Sequence, residues 1–354
     1  MNIAIVLLKR ATKPIGGYKM VYDYANALAQ SGDTVEIFYN YSYNLSNKKH
    51  IPVIVKKAIY SFLYKFTKPW YSLQPSVRET KVWSADKIDF SSFDAAIATS
   101  AHTAYYVGNC KAKRKFYFIQ GYENWDMTDE ELLETYRLPM KHIVISEWLK
   151  EILKQNGEAA FQVSNGIDEK VFYETVPQQN RKARSVAFMY HIDKIKGVST
   201  GLEVINRLKD KYPDLTVKMF GAYPKGADVP DWVDYTMKAD SEQLRDIYNG
   251  VQVFLSTSRE EGFGLTGAES MACGCVLVST KTRGALEYAR HEENALLADI
   301  DNTDQLFTYA DRAFNDCELR EKLSNNAKQR INSDFNSDKS KQRFVKYIHG
   351  TDTI

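Results

Sequence analysis

Two glutamates separated by seven residues, Glu261 and Glu269, bound the segment EGFGLTGAE. It follows an apolar strand candidate, Val251 to Ser256, and precedes the helical run Leu265 to Ala272, so it reads as a loop entering a helix N-terminus. The first backbone N–H groups of a helix have no intrahelical partner, and the helix dipole points its positive end the same way; both favour an anion. Gly262 and Gly264 leave the backbone open to close approach by a diphosphate. Glu261, in the loop, can accept hydrogen bonds from a sugar, and Glu269, on the second turn, can accept them from both hydroxyls of a ribose. Taken alone, the segment is equally compatible with a tight turn built for packing.

The longer stretch SREEGFGLTGAESMACGCVLVS, from Ser258 to Ser279, resembles the signature of the family 4 glycosyltransferases. The resemblance extends in order along the chain: the Gly16-Gly17 loop, IVISEWL from Ile143 to Leu149, VSNGID from Val163 to Asp168, Lys196-Gly197, and Gly284 with Glu287. It implies the GT-B fold, two Rossmann-like doubly wound domains facing across a cleft, with the donor mostly on the second and the acceptor mostly on the first. It also implies transfer from a nucleotide-sugar with retention of anomeric configuration. Carried over by position, Glu269 would hold the ribose, Glu261 the donor sugar, and the backbone from Gly262 through Phe263 and Gly264 to Leu265 the phosphates. Lys196 would clamp the diphosphate, with Gly17 approaching from the first domain.

Release of a nucleoside diphosphate requires stabilisation of growing negative charge, by a divalent metal on an Asp-x-Asp pair or by cationic side chains and helix N-termini. The one Asp-x-Asp, Asp299 to Asp301, precedes a helical run and reads as a capping turn, so neither a metal nor another cofactor is expected. Two positions depart from the family pattern. His191 stands where an arginine is expected, either charged by diphosphate binding or neutral at a strand end. Gln120 or Gly121 stands where many relatives carry a histidine beneath the donor sugar, which leaves His102 and Glu123 as the candidates on the acceptor side. These departures keep a second reading open, a catalytically silent module that binds nucleotide or glycan for a partner enzyme. No second carboxylate can be placed as a covalent nucleophile, so attack from the leaving-group side is the natural route to retention.

The elements that must position these residues alternate short apolar runs with helical segments, the pattern of parallel sheets covered by helices. Strands are expected at Ile3 to Leu8, Thr34 to Tyr39, Ala95 to Thr99, Phe116 to Ile119 and His142 to Ile145. After Asn165-Gly166 a second set follows at Val186 to Met189, Thr216 to Phe220, Val251 to Ser256 and Val276 to Ser279. A helix from Tyr18 to Ser31 should stop at Gly32, Thr128 with Glu131 forms a capping box, and Ser146 can cap another helix. The first domain is placed at 1–168 and the second at 169–336, with a terminal helix at about 337–350 packing back on the first.

At 354 residues the chain is long enough for two domains, and 44% hydrophobic with 26% charged residues is ordinary for a folded protein. A net charge of +2 gives no ground for nucleic-acid binding. Cys110, Cys273, Cys275 and Cys317 form no disulfide framework, and the N-terminal apolar run is too short for a signal peptide or a membrane span. A cytoplasmic location is expected from that pair of observations, with peripheral contact on the inner face of the membrane as a further reading. The partners expected are a UDP-, GDP- or dTDP-sugar and a glycan or lipid-linked acceptor.

Charge is concentrated in one place: between Ile37 and Arg78 there is no acidic residue, while Lys48, Lys49, Lys56, Lys57, Lys65, Lys68 and Arg78 lie there. Within it Val55, Ala58, Ile59, Phe62, Leu63 and Phe66 recur at helical spacing, with Lys56, Lys57, Tyr60, Ser61, Tyr64, Lys65 and Lys68 opposite, followed by Trp70 and Tyr71. Two readings stand: residues 55–71 contact an anionic membrane on its inner face, or the helix buries its apolar side on its own domain.

Overall fold

The computed structural model describes residues 1–46, 51–66 and 69–352. It comprises two compact units, Met1–Ser164 with Lys341–Ile354, and Asn165–Ser340. The division thus falls at Ser164, slightly before the boundary expected at 168.

The first unit is built on seven parallel strands: β1 (Asn2–Leu7), β2 (Thr34–Asn40), β3 (Arg78–Val82), β4 (Ala95–Ala98), β5 (Arg114–Ile119), β6 (Lys141–Val144) and β7 (Ala160–Gln162). Their order is β3-β2-β1-β4-β5-β6-β7. The second unit has six: β8 (Ser185–Tyr190), β9 (Thr216–Gly221), β10 (Asp234–Met237), β11 (Val253–Ser256), β12 (Val276–Thr280) and β13 (Leu296–Ala298). Their order is β10-β9-β8-β11-β12-β13. The central strands are apolar on both faces because helices cover both, which is why β1 is buried from Ile3 through Leu7. In each sheet the winding reverses beside the first strand, between β1 and β4 and between β8 and β11. In open α/β sheets ligands collect outside the carboxyl ends of the strands at such a reversal.

Four strands were not expected from the sequence: β3, β7, β10 and β13, the outer strands of the two sheets. β3, RETKV, and β10, DYTM, pair on one side only and carry little apolar signal, whereas β7, AFQ, and β13, LLA, are apolar but only three residues long. The first helix, Gly16–Gln30, is followed by Gly32 at φ +94°. Thr128 and Glu131 form both bonds of the capping box, whereas Ser146 occupies the N-cap position without a side-chain bond.

The last helix, Ser337–His349, ends among the residues of the first unit. There Phe344 stacks on Tyr24 at 4.1 Å between ring centroids, and Tyr347 stacks on Phe161 at 4.0 Å. Its His349 lies 2.7 Å from Asp33, which also receives the N-terminal ammonium.

The helix Val53–Phe66 is mounted with its polar side inward. Lys56 is only 5% exposed, whereas Ile54 is 80%, Phe62 62% and Phe66 63% exposed. This overturns the expectation that the apolar side is buried on its own domain. The expectation for Trp70 and Tyr71 changes too, since both rings pack against Tyr22. Lys48, Lys49 and Lys68 lie outside the described residues.

Phe344 is 1% exposed, so Phe344→Ala removes a large buried ring and should destabilise the protein by about 3–5 kcal/mol. Urea unfolding followed by tryptophan fluorescence measures this; an unchanged midpoint would show that the terminal helix does not hold the first unit together.

Candidate functional site

In the second unit, the loops leaving β8 and β11 meet at the reversal of the sheet. The β8 loop runs through His191 into a 3-10 turn at Lys194–Lys196 and then a helix, Val198–Lys211. Gly197, between them, has φ +61°, and a Cβ there would come within 1.9 Å of the Thr257 carbonyl oxygen. Only glycine permits this approach, because the left-handed backbone and the missing side chain are needed together. Two bonds close the seam: the Arg259 N–H donates to the Ile195 carbonyl at 2.7 Å and the Thr257 hydroxyl to the Gly197 carbonyl at 2.8 Å; within the β8 loop the Asp193 side chain accepts from the Ile195 N–H at 3.1 Å.

The seam places Lys196 over the next turn of chain. Its Nζ donates to both carboxylate oxygens of Glu261, at 2.8 and 2.9 Å, with the two side chains 23% and 16% exposed. Ser258, whose role the sequence did not single out, also donates to Glu261, at 2.8 Å. The carboxylate is therefore held by three charge-assisted hydrogen bonds, two of them from the Lys196 ammonium.

Glu261 is followed by Gly262, buried Phe263, and Gly264, which starts the helix Leu265–Ala272 from φ +89° without a side-chain cap. That helix end presents its first N–H groups toward the loop. Tyr288 fixes this geometry by donating from its hydroxyl to the Gly264 carbonyl at 2.8 Å and packing on Phe263 at 5.1 Å. Burial, aided by Glu261 and Glu269, raises the Tyr288 phenol above its ordinary range, so it remains a donor. Glu269 is 5% exposed and lies beside Tyr248, whose pKa burial raises well above normal with a contribution from the Glu269 charge.

Without a diphosphate, His191 is in its neutral form. Its Nδ1 accepts the Asp193 N–H at 3.0 Å, and burial together with the Lys196 charge lowers its pKa. An imidazole used as an acceptor at Nδ1 and depressed in this way is uncharged at neutral pH. Asp299 and Asp301 are held apart in function: Asp299 pairs with Lys281 and Asp301 with Arg259, each at 2.9 Å. Asp299 to Asn302 forms a turn, closed by the Asn302 N–H on the Asp299 carbonyl at 3.1 Å, and Asn302 caps the helix that follows.

The remaining candidates belong to the first unit. Gly17 sits in the first turn of the helix Gly16–Gln30 without a left-handed backbone, and a Cβ there would lie 3.4 Å from the Gln120 amide. The glycine therefore relieves no strained turn, and a Cβ there would make only ordinary contact with Gln120, whose buried Oε1 has no hydrogen-bond partner among the described residues. Glu123 accepts the Ala101 N–H at 2.8 Å, at the start of the helix Ala101–Gly108. His102, one residue on, lies 3.1 Å from Asp126 and packs against Tyr43 at 4.3 Å. The structure thus brings Glu123 and His102 to one helix end. Burial, opposed by the Ala101 bond and aided by Asp126, pushes the Glu123 pKa up to about 7.

Residues 172–330 match the family described as "Glycosyl transferases group 1". That span contains Lys196, Glu261 and Glu269 and none of Gly17, His102 and Glu123. Among curated proteins, the chain is 24% identical over 215 residues to the N-acetyl-alpha-D-glucosaminyl L-malate synthase of Bacillus anthracis, covering 56% of this chain and 55% of the relative. The chain thus spans about half the length of that relative. Among solved structures, sucrose-phosphate synthase from Thermosynechococcus elongatus matches with a TM-score of 0.77 at 16% identity, over 99% of this chain and 98% of the other. Anabaena HepE in complex with UDP-glucose matches with a TM-score of 0.75 at 15% identity, over 99% and 100%. With its two Rossmann-like parallel-sheet units, the chain has the GT-B fold.

Glu123 supplies a test by pH. Its folded pKa lies above the usual carboxylate value, so between about pH 4.5 and 7 the folded chain holds a proton the unfolded chain has released, and stability falls as pH rises through that window. Glu123→Gln should flatten this fall in urea midpoints measured across the window; an unaltered slope would place the titrating group elsewhere.

Proposed function

We propose that the chain is a glycosyltransferase that moves a sugar from a nucleotide-sugar to a glycan or lipid-linked glycan, in the assembly of a surface polysaccharide or another glycoconjugate. The observation that carries this reading is the Lys196–Glu261 ion pair beside the uncapped helix end at Gly264, inside the span matched by the group 1 glycosyltransferases. Lys196 and the N–H groups from Phe263 to Leu265 offer a cationic cradle suited to a diphosphate. Glu261 accepts hydroxyls of the donor sugar, and Glu269 those of the ribose. The donor is a UDP-, GDP- or dTDP-sugar.

In the ligand-free chain Lys196 is neutralised by Glu261. A diphosphate competes for the ammonium and draws it from the carboxylate, which then turns its lone pairs to the sugar. As the anomeric bond breaks, charge grows on the leaving phosphate, and the lysine and helix end stabilise it more strongly than in the ground state. This arrangement needs no metal. The acceptor attacks from the side the diphosphate leaves, and the configuration is retained. On the acceptor side the candidates are Glu123, with its pKa near neutrality, and His102 beside it.

Lys196→Ala should lower turnover of donor with acceptor on the order of 10²-fold, as loss of one charge-stabilising group does. His191→Ala, which removes a neutral acceptor, should cost only a few-fold by the same reasoning. Losses of equal size in a steady-state assay of nucleoside diphosphate release would overturn this division of roles. NMR of the first-formed product should show the anomeric configuration of the donor, and an inverted linkage would exclude front-side attack.

A further inference from the structure

We infer that the helix Val53–Phe66 is a docking surface for an anionic lipid bilayer, lying flat on the membrane with its apolar stripe in the lipid. A helix linking two parallel strands of one sheet ordinarily buries its apolar side against that sheet. This one, between β2 and β3, does the reverse.

Its inward side is polar and fully engaged. The Tyr64 hydroxyl donates to the Glu79 carbonyl at 3.1 Å, Lys81 donates to Ser61 at 2.9 Å, and Arg10 donates to the Tyr64 carbonyl at 3.1 Å. Tyr60 packs on Tyr41 at 5.1 Å, and Lys57 lies over the Trp83 ring at 5.6 Å. These contacts fix the rotation of the helix, so the outward apolar stripe is specified by the fold. Ile54, Val55, Ile59, Phe62, Leu63 and Phe66 are between 39% and 80% exposed. Such a contiguous stripe is costly in water and marks a contact surface.

Charge decides the occupant. From Ile37 to Arg78 the sequence has no acidic residue, and Lys65 borders the stripe. An apolar stripe bordered by the exposed Lys65, in a stretch of sequence without a carboxylate, matches an anionic headgroup layer over hydrocarbon. Among the described residues no helix is long and apolar enough to cross a membrane, so attachment here is lateral. Arg10, Tyr41 and Trp83, which seat the helix, follow the carboxyl ends of β1, β2 and β3, the end of this sheet at which open α/β folds bind ligands. Docking therefore brings that end of the first unit to the lipid surface.

The test is co-sedimentation of the full chain with phosphatidylglycerol-containing vesicles and with pure phosphatidylcholine vesicles. It reads no sugar transfer, so its failure is separable from failure of the glycosyltransferase reading. The chain should pellet with the anionic vesicles, less with the zwitterionic ones, and less at high salt. The variant I54S/F62S/F66S, altered only at exposed positions, should lose binding by about ten-fold or more. Lys65→Glu should weaken binding to the anionic vesicles alone. Binding of I54S/F62S/F66S equal to wild type, or no pelleting of wild type, would overturn the proposal. A wild-type dimer in light scattering that the same variant abolishes would reassign the stripe to a second copy of the chain.

Discussion

The approach of Gly197 to the Thr257 carbonyl governs the second unit. At 1.9 Å from where a Cβ would stand, the contact admits no other residue, and it is the reason two loops from neighbouring strands share one hydrogen-bonded seam. Everything proposed for donor recognition hangs from that seam. Lys196 precedes the glycine and Ser258 follows the threonine, so the backbone positions that carry the ammonium and hydroxyl holding Glu261 are fixed by these contacts. This matters physically because an ion pair contributes little when both partners must first be ordered. Here much of the ordering is already supplied by the sheet and its glycine.

The same logic explains which parts of the site were legible in the sequence. Gly197, Gly264, Lys196, Glu261 and Glu269 are residues whose identity is dictated by a backbone angle, a close approach or a charge, and such residues show as a spaced pattern. Ser258 and Tyr288 were not singled out because a serine and a tyrosine carry no such mark: their roles depend on the distance at which another loop passes. The state of His191 was open for a related reason. Its neutrality follows from an N–H two residues on and a neighbouring ammonium, neither of which position alone specifies.

At the level of the fold, central strands announced themselves because burial on both faces demands continuous apolar runs, and the edge strands did not. The helix Val53–Phe66 is the more instructive case. Its periodicity was plain, but periodicity gives a stripe without saying which way the stripe faces. The tyrosines and lysines opposite, through Glu79, Lys81 and Trp83, decided the rotation, and those partners lie on, or directly after, a strand the sequence had not revealed.

The terminal helix has a consequence for how the chain is made. Phe344, Tyr347 and Ile348 belong to the core of the first unit, yet they are synthesised after the whole of the second. During translation the second unit can therefore complete its own sheet while the first still lacks rings that cover Tyr24 and Phe161. The emerging N-terminal half must wait, incompletely packed, for a segment more than a hundred residues downstream, an order of assembly opposite to the one in which the chain leaves the ribosome.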